Sequence, residues 1–306
     1  MTRADVTFLS GFERCAAWLY TPAGTQNGDE PAPDAPTARP IIVMAHGLGG
    51  VKEDRLDAFA ERFTEAGYAC LVFDYRHFGD SGGEPRHLID VGSQRADWRA
   101  AIEFARSLDG IDANRVIVWG TSFSGGHVIV IASEDHRIAA AVAQCPFTNG
   151  LASSNATPPI TSLKLAARAI ADAIGSRLGR PPLTVPTYGP PGTTALMTAP
   201  DVVEGIEKLL PPDQRRPKEI PARVALDIIR NSPGRSAKNV TCPIFFAICE
   251  RDSVAPPAPT QKCAAQAPRG ETHLYDAGHF DIYVGDDFER NIADQLDFLA
   301  HHVPTH

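Results

Sequence analysis

Short runs of bulky apolar residues punctuate the chain, and between most of them apolar residues return every third or fourth position. The runs over 41–45, 69–74, 116–119, 138–144 and 243–249 show no polar alternation, the pattern of strands covered on both faces. The intervening spacing predicts helices over 52–66, 91–108, 127–133, 257–267 and 287–301. Ahead of these, 6–9 and 15–20 flank Ser10-Gly11 and predict an antiparallel hairpin, and a last strand is expected over 272–275. Strands separated by helices of this length must pair in parallel through right-handed crossovers. The expected fold class is therefore α/β with a doubly wound sheet.

The rhythm breaks after Pro146. Helical segments over 162–178, 199–210 and 221–229 are joined by proline-rich turns such as Arg180-Pro181-Pro182, with no strong strand between them. A core of 1–148 and 240–306 interrupted by a helical insertion over 149–239 is expected. A second irregular stretch, 22–40, is rich in Pro, Ala, Asp and Gly and reads as a surface loop, because too little chain precedes it to fold alone.

Composition narrows the partners. The chain has 306 residues and a formal net charge of −8, and no run of lysine or arginine exceeds a pair. Neither a nucleic-acid nor a membrane partner is expected, and a small neutral or cationic molecule suits that charge. The start of the chain lacks the basic and apolar segments of a signal peptide, and no apolar run could span a bilayer, so a cytoplasmic location is the expectation. Cys15, Cys70, Cys145, Cys242, Cys249 and Cys263 are scattered, several within apolar strands. That scatter suits reduced, buried thiols better than a disulfide framework. No His-x-x-x-His or comparable ligand spacing occurs, and neither a metal nor another cofactor is expected.

The candidate chemistry centres on Gly120-Thr-Ser122-Phe-Ser124-Gly-Gly126, which follows the run over 116–119 directly. A serine on a tight strand-to-helix turn is exposed in a strained conformation, beside the amides that open the helix. Two registers are open, with Ser122 or Ser124 as the nucleophile. The glycine that must start the turn favours Ser122.

This stretch resembles the nucleophile elbow of the α/β-hydrolases, with Ser124 in place of that family's usual second glycine. The resemblance implies a mostly parallel eight-stranded sheet and an orienting acid and then a histidine later in the chain. His279, in Asp276-Ala-Gly-His279-Phe280, fits the histidine. Asp252 fits the acid, with Glu250 as its competitor. The resemblance further implies an oxyanion site from the amides of Phe123 and of Leu48 in His46-Gly47-Leu48, both of which would also border the substrate. Asp74-Tyr-Arg-His77-Phe-Gly79-Asp-Ser81-Gly82 resembles a structural loop of the family, with His77 where glycine is common. The histidine loop is similar to that of dienelactone hydrolases and X-prolyl peptidases.

The function so implied is serine hydrolysis of a carboxylic ester, thioester or lactone through an acyl-enzyme on Ser122. Acyl transfer, C–C cleavage, lyase chemistry and amide hydrolysis use the same groups. Apolar segments in the insertion suggest an apolar acyl pocket, and an apolar helix face there would also suit packing on a second subunit as a homodimer.

Overall fold

The computed structural model describes residues 1–23, 38–155, 159–212, 215 and 217–305. In chain order the elements are β1 (Thr2–Ser10), β2 (Glu13–Thr21), β3 (Arg39–Ala45), α1 (Leu56–Glu65), β4 (Ala69–Phe73), α2 (Val91–Arg106), β5 (Ile111–Thr121), α3 (Phe123–Glu134) and β6 (Ile138–Gln144). There follow α4 (Gly150–Asn155), α5 (Pro159–Arg177), β7 (Thr184–Pro186), α6 (Val202–Leu209), β8 (Glu219–Pro221) and α7 (Val224–Arg230). The main pattern resumes with β9 (Ile244–Cys249), α8 (Pro257–Ala264), β10 (Gly270–Tyr275) and α9 (Gly285–His302).

Eight strands form one sheet in the order β1-β2-β4-β3-β5-β6-β9-β10. The β1–β2 and β2–β4 pairs are antiparallel, and all the others are parallel. The unbroken apolar runs are explained by cover on both sides. On one face Ile41, Val43 and Val118 meet Trp98 of α2 and Val128 of α3; on the other Ile42, Met44 and Trp119 meet Phe59 of α1 and Phe298 of α9. Helix α2 starts where the sequence suggests because Asp90 accepts the Ser93 N–H at 2.7 Å, a cap that contributes about 1 kcal/mol. All six cysteines are buried free thiols.

Three expectations change. The elbow helix begins at Phe123, four residues before the predicted 127, and runs through Gly125 and Gly126. Those glycines serve close packing instead of a turn: a Cβ on Gly125 would lie 2.8 Å from Pro146 Cβ, and one on Gly126 would lie 2.4 Å from the Phe147 carbonyl oxygen. The segment between β6 and β9 is not purely helical, since β7 and β8 pair antiparallel. Three-residue strands that end in proline leave no periodic signal. Finally, β5 extends back to Ile111, beyond its apolar half.

Most of the stretch over 22–40, expected as a surface loop, lies outside the described residues. Helix α5 turns Thr161, Ala169 and Asp172 inward and leaves Ile160, Leu163, Ile170 and Ile174 exposed. Among the described residues no helix is long and apolar enough to cross a membrane.

Candidate active site

Ser122 sits between β5 and α3 with φ 55° and ψ −116°, a conformation that costs a non-glycine residue on the order of 1–3 kcal/mol. Its backbone is held there from both sides. The Ser122 N–H donates to the Gln144 carbonyl at 2.9 Å, and the Ser122 carbonyl accepts from the Phe147 N–H at 2.8 Å. Two glycines make room for the turn. A Cβ at Gly120 would stand 2.4 Å from the Ser124 carbonyl oxygen, and one at Gly47 would stand 2.9 Å from Ser122 Cβ. The His46-Gly47-Leu48 loop therefore lies directly against the serine.

His279 and Asp252 arrive from the loops after β10 and β9. Both are buried, and they join Ser122 in one hydrogen-bonded chain: His279 Nδ1 is 2.7 Å from Asp252 Oδ2, and His279 Nε2 is 3.0 Å from Ser122 Oγ. With the imidazole proton on Nδ1, donated to Asp252, Nε2 accepts the serine hydroxyl. The second carboxylate oxygen of Asp252 accepts the Val254 and Ala255 N–H groups at 2.8 and 2.6 Å, which fixes the acid in its turn. Glu250, the competing acid, is exposed, with its N–H given to the Tyr275 carbonyl. Cys145 lies beside Asp252 and His279, and burial pushes its thiol up to about 12, so without a further partner it stays protonated.

Ser124 has a different partner set. It is fully buried; its hydroxyl donates to the His46 carbonyl at 2.6 Å and accepts from the Tyr75 hydroxyl, which in turn accepts Trp98 Nε1–H at 2.7 Å. This relay ties the first turn of α3 to the loop that carries Leu48. Burial lowers the His46 imidazole to about 3, so it is neutral, with Nδ1 3.0 Å from the Gly47 carbonyl. A second brace follows the loop. The Lys52 N–H donates to Asp74 Oδ1 at 2.8 Å, and its buried ammonium sits among Glu53, Asp74 and Asp80 at 2.8, 2.8 and 2.6 Å. The acidic cluster is thereby filled by this chain's own cation. Gly79 (φ 49°) is required, since a Cβ there would meet Asp74 Oδ2 at 2.1 Å.

Beneath the elbow lies a polar network with no signature in the sequence. Gln144 donates to Thr121 Oγ1 at 3.2 Å and accepts from Asn291 and Gln295 at 2.6 and 3.0 Å; Gln295 accepts Trp119 Nε1–H at 2.8 Å. Of the braces, Ser124 gave a hint as a hydroxyl where the resembled family has glycine, and the stretch from Asp74 to Gly82 gave another as a loop similar to a structural one.

Two cavities meet at Ser122. One, of about 1050 Å³, is bordered by Leu48, Phe123, Leu165, Met197, Leu226 and Ile229, and no charged residue lines it among the described residues. The other, of about 740 Å³, is bordered by His46, Asp54, Thr187, Lys218, His279 and Phe280. His279 faces the second cavity and does not line the first. Phe123 is the first residue of α3, so its N–H has no acceptor four residues back in the helix.

The profile of the family described as serine aminopeptidase, S33, matches residues 36–284. The quorum-quenching protein AidA of Acinetobacter baumannii is 52% identical over 301 residues, which cover 98% of this chain and 95% of that protein. The thiohydrolase aneE of Aspergillus aculeatus is 27% identical over 274 residues, covering 85% of each. Among solved structures, the α/β-hydrolase GrgF from Penicillium sp. sh18 has the same fold, with a TM-score of 0.82 and 24% identity over 99% of both chains. A profile match over most of the length, on an α/β-hydrolase sheet, shows that this chain belongs to the serine aminopeptidase S33 family of hydrolases.

Proposed function

We propose that the protein is a serine hydrolase that cleaves a hydrophobic acyl ester, thioester or lactone through an acyl-enzyme. The observation that carries this reading is the unbroken chain from Ser122 Oγ through His279 to Asp252. Ser122 Oγ attacks the acyl carbonyl while His279 Nε2 takes its proton, and the Asp252 carboxylate stabilises the imidazolium. The amides of Leu48 and Phe123 hold the tetrahedral oxyanion. His279 returns the proton to the departing oxygen or sulfur. It then takes one from water, whose oxygen attacks the acyl-enzyme and releases the acid and Ser122.

The two cavities orient the substrate. The group that protonates the leaving atom must face it, so the chamber lined by His279 takes the leaving group and the apolar chamber takes the acyl chain. The segment 149–239 acts as a cap, because α5 and α7 wall the acyl chamber. An α-ammonium in that chamber would find no carboxylate among the described residues, which supports a fatty or aryl acyl group over an aminoacyl one. Thioester and quorum-signal chemistry in the thiohydrolase and quorum-quenching relatives fits such a substrate.

An acyl-length series of thioesters with one thiol tests the proposal. Each methylene that enters the apolar chamber contributes about 0.8 kcal/mol, so kcat/KM should rise about fourfold per methylene and then level off when the chamber is full. Indifference to acyl length, or turnover that survives Ser122→Ala, would sink the reading.

A further inference from the structure

The leaving-group chamber carries a charged pair, of which Lys218 adjoins the small β7–β8 sheet. Thr187, just past β7, gives both its N–H and its hydroxyl to the Lys218 carbonyl, at 2.9 and 2.7 Å, and so pins the lysine backbone over the chamber. Opposite it, Asp54 is fixed by the Val51 N–H on Oδ2 at 2.9 Å. Lys218 Nζ lies 3.8 Å from Asp54 Oδ2, beyond hydrogen-bond reach, with side chains only 27% and 18% exposed. The ammonium is thus near enough for attraction but keeps N–H donors for a third partner. Among the described residues that line this chamber, Asp54 is the one acid and Lys218 the one lysine or arginine, and His46 is held neutral by burial. Around them the wall is apolar, with Leu56, Ile206, Leu209, Leu210 and Phe280.

Resting on the chamber assignment above, we propose that Lys218 and Asp54 read an uncharged polar leaving group, with Lys218 donating to an amide- or carbonyl-type oxygen. A lone cation would select an anion. Here the carboxylate beside it cancels that preference and, with the chain at −8, repels a carboxylate-bearing leaving group. An aliphatic leaving group leaves the ammonium's donors unmatched, which is how a buried polar site rejects an analogue that lacks the polar atom. The substrate class is therefore a hydrophobic acyl chain joined to a short leaving group that bears a neutral oxygen acceptor.

The test compares octanoyl thioesters of N-acetylcysteamine, which carries an amide, and of n-pentanethiol, a match in length without one. The wild type should favour the amide-bearing thioester by about tenfold in kcat/KM, through KM, as expected for one hydrogen bond from a charged donor. Lys218→Met should bring that ratio close to unity, and Lys218→Arg should keep most of it. Asp54→Asn should raise kcat/KM for the octanoyl thioester of mercaptopropionate, whose leaving group is anionic. Circular dichroism of each variant separates a lost preference from a lost fold, and Lys218→Ala, which also removes the donor, stands in if the methionine variant does not fold. A wild type with no preference, or a preference unchanged in Lys218→Met, overturns the inference while leaving the serine-hydrolase reading intact. Absence of turnover with every thioester would instead sink that reading and this inference with it.

Discussion

Replacing Ser124 with alanine tests whether this hydroxyl is a brace and not a second nucleophile. It removes the middle of the relay that runs from Trp98 Nε1–H through Tyr75 and Ser124 to the His46 carbonyl. All these groups are buried, so Ser124→Ala strands the Tyr75 hydroxyl donor and the His46 carbonyl without water. Each such orphan costs about 1–3 kcal/mol, which puts the loss at about 2–4 kcal/mol once partial relaxation is allowed. For a chain of this size that lowers Tm by roughly 4–10 °C. The effect should also reach catalysis, because the His46 carbonyl belongs to the loop that carries Leu48 and presses Gly47 on Ser122. A small shift of that loop should lower kcat by about tenfold to a hundredfold with little change in KM, as expected of an oxyanion donor moved out of place. Tyr75→Phe, combined with Ser124→Ala in a double-mutant cycle, should give strong non-additivity, since the pair removed together leaves one orphan fewer. Thermal melts and steady-state kinetics read both quantities. Additive losses, or a Ser124→Ala protein within about 0.5 kcal/mol of wild type with unchanged kcat, would refute the relay.

Three further outcomes are expected. Lys52→Met leaves the fully buried Asp74 without its cation and should destabilise the fold by about 3–5 kcal/mol in urea unfolding, far more than a surface ion pair would. Burial holds both His46 and His127 down to about 3 in the folded state, against an ordinary 6.5. Between those values the unfolded chain binds the extra protons, so the stability these rings contribute is complete above about pH 6.5 and is lost as pH falls, by up to about 1.4 kcal/mol per pH unit for each ring. Unfolding free energies from pH 7 to 5 check the slope, to which His77 and His87 also add because burial lowers both, and His127→Gln should remove the part due to one fully buried ring. Aminoacyl aminomethylcoumarins should be cleaved far more slowly than acyl thioesters, because no acid lines the acyl chamber among the described residues; efficient aminopeptidase turnover would contradict the chamber assignment.

Much of this site could be read from local sequence. The apolar run over 116–119, the glycine that ends it and a serine two residues on specify the elbow without tertiary help. Asp252 and His279 follow strands, where loops gather at one edge of a parallel sheet. The misread helix start has a physical cause: Gly125 and Gly126 look like chain breakers, but their lack of a side chain answers to Pro146 and Phe147 across the gap. The glycine that starts the turn favoured Ser122 over Ser124 already in the sequence, whereas what each hydroxyl touches, His279 for one and Tyr75 with the His46 carbonyl for the other, is legible only in the fold. The leaving-group chamber was out of reach altogether. Its walls come from 46–56, 187–188, 206–210, Lys218 and 279–283, which only the sheet order and the β7–β8 pairing bring together.

The central claim is that His279 activates Ser122. Its most direct test is intact-mass analysis and peptide mapping after treatment with a fluorophosphonate, on wild type, Ser122→Ala, Ser124→Ala and His279→Ala. One adduct on Ser122, kept in Ser124→Ala and lost in His279→Ala, is the predicted result. An adduct on Ser124, or one on Ser122 formed equally fast without His279, would contradict the account.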